Sequence, residues 1–216
     1  MAEMEVGRSI LEANQRLAEE NRRRFRQAGV KVLNLISSPG AGKTSILEQT
    51  LRRLEGRLAV GVIEGDIQST EDAQRVAACG VKAVQIETRG ACHLDGHMIS
   101  HTLGAFDLAS LDLLIVENVG NLVCPVEFDL GEDMKVAVLS VTEGDDKPSK
   151  YPQLFQEAGV LLVNKIDLLP YLDCDLERIR RTSRRLNPEQ VIFELSCKTG
   201  QGLDAWVDWL SAWVRA

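Results

Sequence analysis

The sequence predicts a doubly wound α/β fold, a mostly parallel sheet of about seven strands with helices on both faces. Three observations carry that expectation. Beyond Gly29, short runs of aliphatic and β-branched residues alternate with stretches of helical periodicity. Runs such as LDLLIV are apolar on both faces, as strands covered by helices on both sides must be. The first run, VLNLIS, leads straight into the glycine-rich SSPGAGKT and then into a helix, the strand–loop–helix order of a phosphate-binding turn.

Taken in order, residues 1–30 read as an N-terminal helical extension, amphipathic and largely solvated, with Ile10, Leu11, Leu17 and Phe25 spaced among charges. Residues 31–216 form the domain. VLNLIS is followed by the helix KTSILEQTLRRLE, LAVGVIEGD by STEDAQRVAAC, and VKAVQIET by a helix beginning near His93. LDLLIVEN and KVAVLSVTE come next, then the helix around YPQLFQEAG. VLLVNKID precedes DLERIRRTSRRL, and VIFELSC precedes DAWVDWLSAWVRA. With 216 residues, 44% of them hydrophobic, the chain buries one substantial core and has little room for a second.

Twenty-five basic against 32 acidic residues give a net charge of −7, which excludes a broad electrostatic grip on nucleic acid or an anionic membrane. No apolar run approaches the ~20 residues of a membrane span, and the charged beginning lacks the apolar centre of a secretory signal. The expected location is the cytoplasm. Five scattered cysteines, Cys79, Cys92, Cys124, Cys174 and Cys197, suit reduced thiols better than a disulfide framework.

In a doubly wound sheet, ligands bind outside the carboxyl ends of the strands. At the first of those ends, Gly40, Ala41, Gly42, Lys43, Thr44 and Ser45 form the expected phosphate-binding set. The glycines let the backbone approach phosphate, Lys43 neutralises it, and Thr44 offers a hydroxyl to magnesium. Ser37 stands at the first glycine position of the general pattern, a departure. Asp66 closes the run ending in EGD and Glu117 the run ending in VEN; each is a candidate magnesium ligand, with capping of the following turn as the alternative. With Lys43 and Thr44 they are the candidate catalytic residues.

NKID, Asn164 to Asp167, resembles the base-recognition motif of GTPases, with Asn164, Lys165 and Asp167 in the motif positions. A carboxylate there accepts two hydrogens from the guanine edge; adenine has no such pair of donors, so the site discriminates against ATP. SCKTGQG resembles the motif that completes the guanine pocket, which assigns Ser196, Cys197 and Lys198 to base contacts.

Cys92 and His93 are adjacent, and Cys124 follows Glu117 by seven residues on the loop expected to sense the terminal phosphate. Thiolate and imidazole suit zinc and nickel. On residue chemistry alone, buried thiols and a chance Cys–His neighbour fit the same pattern. His97 and His101 continue the spacing from His93 along one side of a helix if that helix begins early enough, and they read as ordinary helix residues, with no glutamate of a zinc-protease motif between them.

The ordered set SSPGAGKT, EGDIQSTEDAQR, GACHLD, ENVGNLVCP, EGDDKPSKYP, NKIDLLPY and SCKTGQG resembles the HypB family, GTPases that assist nickel insertion into nickel–iron hydrogenase. The resemblance spans residues 31 to 203 and includes SSPG as a form of the phosphate loop. It implies a P-loop GTPase using GTP/GDP and magnesium, with nickel or zinc on Cys92, His93 and Cys124. It further implies a GTP-dependent homodimer, in which Lys147 approaches the neighbouring subunit's nucleotide. A hydrogenase maturation partner protein and the hydrogenase large subunit are the implied partners. Residues 1–30 contain neither the cysteine motif nor the histidine tract that many relatives carry, so nickel storage is not expected. The urease-type sister family usually has Cys-Pro-His where Cys92 and His93 are adjacent here. A metal-buffering protein that binds GTP without useful turnover is the alternative from another class. No arginine or glutamine is evidently placed to organise attacking water, so slow turnover is expected.

Overall fold

The computed structural model describes residues 2–66, 75–88 and 90–216, with side chains from residue 10 onward and Asp66 excepted. The strands are β1 (Lys31–Ser37), β2 (Val60–Asp66), β3 (Lys82–Glu87), β4 (Leu113–Glu117), β5 (Met134–Ser140), β6 (Val160–Asn164) and β7 (Val191–Glu194). They form one sheet in the order β3-β2-β4-β1-β5-β6-β7, and every neighbouring pair is parallel. This is the doubly wound fold expected from the alternating runs. The described helices are α1 (Ala2–Ala28), α2 (Lys43–Leu54), α3 (Gly96–Thr102), α4 (Cys124–Glu127), α5 (Lys147–Lys150), α6 (Pro152–Glu157), α7 (Leu176–Leu186) and α8 (Leu203–Arg215). None is long and apolar enough to cross a membrane. The motif EGDIQSTEDAQR and the first part of the helix expected over STEDAQRVAAC lie mostly outside the described residues.

Period-two alternation sorts the strand residues to two helical layers. Leu33, Leu35, Val62, Ile115, Val136 and Leu162 face α2 and α8, where Ile46, Leu47, Leu51, Trp206 and Leu210 complete the core. On the other face, Ala137, Leu139, Leu161 and Val163 meet Leu154 and Phe155 of α6 and Ile179 of α7. Val32, Ile63, Leu114 and Val116 meet Phe25 of α1 and Ile99 of α3.

The extension packs differently from its apolar periodicity. Ile10 and Leu11 are 53% and 40% exposed, while the buried stripe is Asn14, Ala18, Asn21 and Phe25. Asn14 Oδ1 accepts from Gly96 N at 2.7 Å, and Asn21 Nδ2 donates to Gly96 O at 2.8 Å and to Leu130 O at 3.2 Å. Two amides thus stitch α1 to the start of α3, and Arg22 Nη2 donates to both carboxylate oxygens of Asp129, at 2.7 and 2.6 Å. An apolar pattern cannot reveal a helix face that docks through carboxamides.

Helix α3 begins at Gly96, with Asp95 as its N-cap accepting from Met98 N, rather than near His93. A short acidic cap satisfies the free amides of the first turn and fixes the start there. His93 therefore lies before the helix, and only His97 and His101 share its surface.

Candidate functional site

The candidate site residues with described side chains lie at the carboxyl edge of the sheet. Strand β1 ends at Ser37 and releases the chain into a turn in which Gly40 and Gly42 take φ of 75° and 98°. At Gly42 the requirement is steric as well, since a Cβ would come within 2.5 Å of Asn164 Nδ2. Ser37 belongs to the strand and keeps a negative φ, so no glycine is needed at that position. Its hydroxyl accepts from Lys43 Nζ at 3.0 Å, which draws the lysine back over the loop.

Lys43 and Thr44, each 8% exposed, open α2. Thr44 Oγ1 donates to Glu117 Oε1 at 2.8 Å. A hydroxyl and a carboxylate side by side at a phosphate-type loop fit a magnesium ion that would take an oxygen from each. Glu64, a residue that the sequence pattern did not single out, stands opposite Glu117 in the β2–β4 register and is 2% exposed. Only its strand pairing could have marked it. The side chain of Asp66 lies outside the described residues, although its backbone ends β2 two positions farther on.

A second group surrounds an open cavity of about 420 Å³ whose lining includes Gly42, Ser45, Asn164, Lys165, Asp167 and Cys197. Asn164 Nδ2 donates to Ala41 O at 3.0 Å, and its Oδ1 accepts from Lys165 N at 2.7 Å. Lys165, the one described non-glycine residue with positive φ, at 64°, turns its Nζ to Gly40 O at 2.7 Å. The NKID turn is thereby bonded to the phosphate-type loop. Asp167 Oδ1 accepts from Ser196 Oγ at 2.6 Å, and Ser196 Oγ accepts from Thr199 N at 3.2 Å. Burial pushes the Cys197 thiol up to about 11, so it remains a neutral lining group beside Lys198.

The loop after β5 reaches the same edge. Glu143 receives Ser140 N at 2.9 Å and the hydroxyl of Ser38. Lys147 opens α5 and lies over the Tyr151 ring, with its Nζ 5.5 Å from the centroid.

Cys92, His93 and Cys124 do come together, their candidate ligand atoms all within 4.8 Å of one another. Cys92 Sγ is 3.5 Å from His93 Nδ1, and the imidazole stacks on Phe128 with centroids 3.8 Å apart. Phe128, missed in the sequence because aromatics are ordinary core residues, fixes the plane of the ring. Burial holds the His93 pKa below the usual imidazole range, which favours the neutral, ligating form. A hydrogen bond with Cys92, then burial, raises the Cys124 pKa. His97 and His101 form a separate pair on exposed helix surface, Nε2 to Nε2 3.0 Å.

Gly120, between Glu117 and Cys124, lies so near the phosphate-type loop that a Cβ would come within 3.0 Å of Pro39. Nucleotide-type loop and thiol–imidazole trio are thus joined by one short segment.

The sequence pattern of the CobW/HypB/UreG nucleotide-binding domain matches residues 31–194. The hydrogenase maturation factor HypB of Escherichia coli (strain K12) is 51% identical over 207 residues, 96% of this chain and 71% of that protein. The chain belongs to the HypB family. Its fold agrees with the crystal structure of HypB from Archaeoglobus fulgidus at a TM-score of 0.88 and 41% identity, over 94% of this chain and 99% of the other. HypB from Helicobacter pylori, solved in complex with nickel, gives 0.87 and 39%, over 94% and 95%. The resemblance expected from the ordered motifs is borne out, and with it a P-loop nucleotide-binding domain among hydrogenase maturation factors.

Proposed function

We propose that this HypB-family chain is a GTP-hydrolysing nickel chaperone for nickel–iron hydrogenase maturation, whose hold on the metal depends on the bound nucleotide and on a GTP-dependent homodimer. The observation that carries the proposal is the meeting of Cys92, His93 and Cys124 at the far end of the Glu117 loop, whose near end hydrogen-bonds Thr44. Family membership and the nickel complex of the Helicobacter pylori relative support nickel as the cargo.

In this reading the amides of Gly40 to Ser45 and the Lys43 ammonium hold the phosphates of GTP. Thr44, Glu117 and Asp66 hold magnesium. When bound, that ion neutralises charge developing on the phosphates during hydrolysis. Asp167 reads guanine, with Ser196 orienting its carboxylate and Asn164, Lys165 and Cys197 shaping the pocket; Lys198 closes it. Lys147 reaches the partner subunit's nucleotide. Gly120, already against Pro39, places the loop where loss of the terminal phosphate releases it and shifts Cys124 relative to Cys92 and His93. The maturation partner protein and hydrogenase large subunit exchange metal with that trio, in the cytoplasm.

Phosphate release in the presence of magnesium tests the enzymatic part. Slow multiple-turnover hydrolysis of GTP, with ATP turned over at least ~100-fold less efficiently, is the expected result. Equal use of both nucleotides, or a single turnover only, contradicts it.

A pH dependence follows from the thiols. Ligation requires thiolate, and the raised Cys124 pKa keeps that group protonated at neutral pH, so nickel binding expels its proton. His93 is shifted the other way and is already neutral there. Apparent nickel affinity should therefore rise with pH by at least about tenfold per unit, one factor of ten for the Cys124 proton and more for any proton that Cys92 also gives up, levelling off above the thiol range. Competition titrations across neutral to mildly alkaline pH check this; an affinity that falls with pH contradicts it.

A further inference from the structure

Asn118 is 1% exposed and immediately follows Glu117. Its backbone N donates to Leu35 O at 3.0 Å, which prolongs the β1–β4 pairing by one bond. The side chain is held just as firmly. Asn118 Nδ2 donates to Asn34 Oδ1 at 3.1 Å, and Asn34 Nδ2 donates to Glu132 Oε1 at 3.2 Å. Glu132 Oε2 in turn accepts from Leu130 N at 2.7 Å. Asn34 is wholly buried in β1, among the apolar residues of the sheet face that carries α1 and α3. A chain of carboxamides and a carboxyl in that position costs desolvation that aliphatic residues would avoid.

What this network positions is Asn118 Oδ1. That oxygen accepts from Val119 N at 2.9 Å and from Leu94 N at 3.1 Å. Leu94 is the residue after His93 and is fully buried. Its side chain sits directly on Gly65, where a Cβ would come within 2.7 Å of it, one residue before Asp66. The segment from Cys92 to Gly96 is therefore pinned at two points, Leu94 on the end of the Glu117 strand and Gly96 on Asn14 and Asn21 of α1. Cys124 follows Asn118 by six residues, at the end of the same loop.

We propose that Asn118 is the positioning residue that transmits nucleotide state to the metal trio: it ties the main chain beside His93 to the end of the Glu117 strand, so that Cys92 and His93 move with that strand end while Cys124 moves with the loop. The proposal rests on the nucleotide-coupled nickel reading above and deepens it. Asn118 touches neither nucleotide nor metal in this scheme. It acts through the Leu94 amide, and Gly96 is the fixed point about which the segment turns. A link of this kind changes coupling between two sites without being part of either.

The test is nickel affinity, by calorimetry, of full-length wild type and of Asn118→Ala and Asn118→Asp, each loaded with GDP or with a non-hydrolysable GTP analogue. The quantity read is the ratio of the two affinities. Asn118→Ala removes the acceptor and should bring the ratio to within about twofold of unity while nickel still binds in each state. Asn118→Asp keeps an acceptor for Leu94 N but loses the donor to Asn34 Oδ1, so it should recover part of the wild-type ratio, a partial rescue that a merely structural role does not provide. A wild-type ratio preserved in Asn118→Ala overturns this proposal alone; a wild-type ratio of unity overturns the nickel-coupling reading and the proposal with it. Hydrogen exchange of wild type supplies a measurement that does not depend on the variants folding. The Leu94 amide should be strongly protected with either nucleotide, and exchange at the rate of an open loop in either state overturns the link.

Discussion

Lys43→Ala should lower GTP affinity by on the order of 100- to several-thousand-fold and leave hydrolysis undetectable at ordinary substrate concentrations. Lys43 is 8% exposed at the first position of α2, held over the loop by Ser37 Oγ at 3.0 Å. In the proposed complex it is the point charge facing the terminal phosphates. Removing one partner of a buried charge pair costs about 3–5 kcal/mol, and each 1.4 kcal/mol is about tenfold in affinity. Alanine is a strong helix former and leaves α2 intact, so the loss should not be one of folding. Equilibrium titration with a fluorescent GTP derivative, beside a thermal melt, checks both parts. Binding within about threefold of wild type contradicts the placement of phosphate on this loop.

Asp167→Asn should reverse base preference instead of abolishing binding. The carboxylate accepts two hydrogens from the guanine edge in the proposed complex, and Ser196 Oγ at 2.6 Å orients it. An asparagine presents one acceptor and one donor, so it faces one guanine donor with an N–H and leaves both unpaired. Sites built around such a hydrogen bond reject the mismatched partner by up to about 10⁴- to 10⁵-fold. Partial exposure of this cavity argues for a smaller effect than that ceiling, about 10²- to 10³-fold weaker GTP binding. Xanthine carries an acceptor where guanine has its amino group and restores the pairing, so xanthosine triphosphate should gain what GTP loses. Competition between the two nucleotides for wild type and variant reads the exchange directly. A variant that keeps its preference for GTP contradicts the assignment of Asp167.

These expectations could be written largely from the sequence because each element that carries them has a local cause. Strands covered on both faces must be apolar on both, which made β4 and β6 visible. Gly40 and Gly42 both take positive φ in the turn, and at Gly42 the backbone also passes close to Asn164. Other features have causes far away in the chain. The docking face of α1 is written in Asn14 and Asn21, whose partners Gly96 and Leu130 lie 75 to 109 residues away for Asn21. Periodicity of apolar residues pointed to Ile10 and Leu11, which stand in solvent. Glu64 acquires interest only through its register with Glu117, Phe128 only through its stack on His93, and Asn118 only through Leu94. The start of α3 has a local cause in the cap Asp95, three residues before Met98. Side chains that serve a site through a partner in another element leave no pattern along one strand or helix.

The central claim is that nucleotide and nickel share one free-energy cycle through the loop from Glu117 to Cys124. Calorimetric titration of nickel into wild type, Cys92→Ala and Cys124→Ala, each loaded with GDP or a non-hydrolysable GTP analogue, tests it most directly. Wild-type affinity should differ between the two nucleotides by roughly 5- to 150-fold, the usual range for coupled sites, and both variants should lose that difference. Equal wild-type affinities, or a difference that survives both substitutions, would contradict the account.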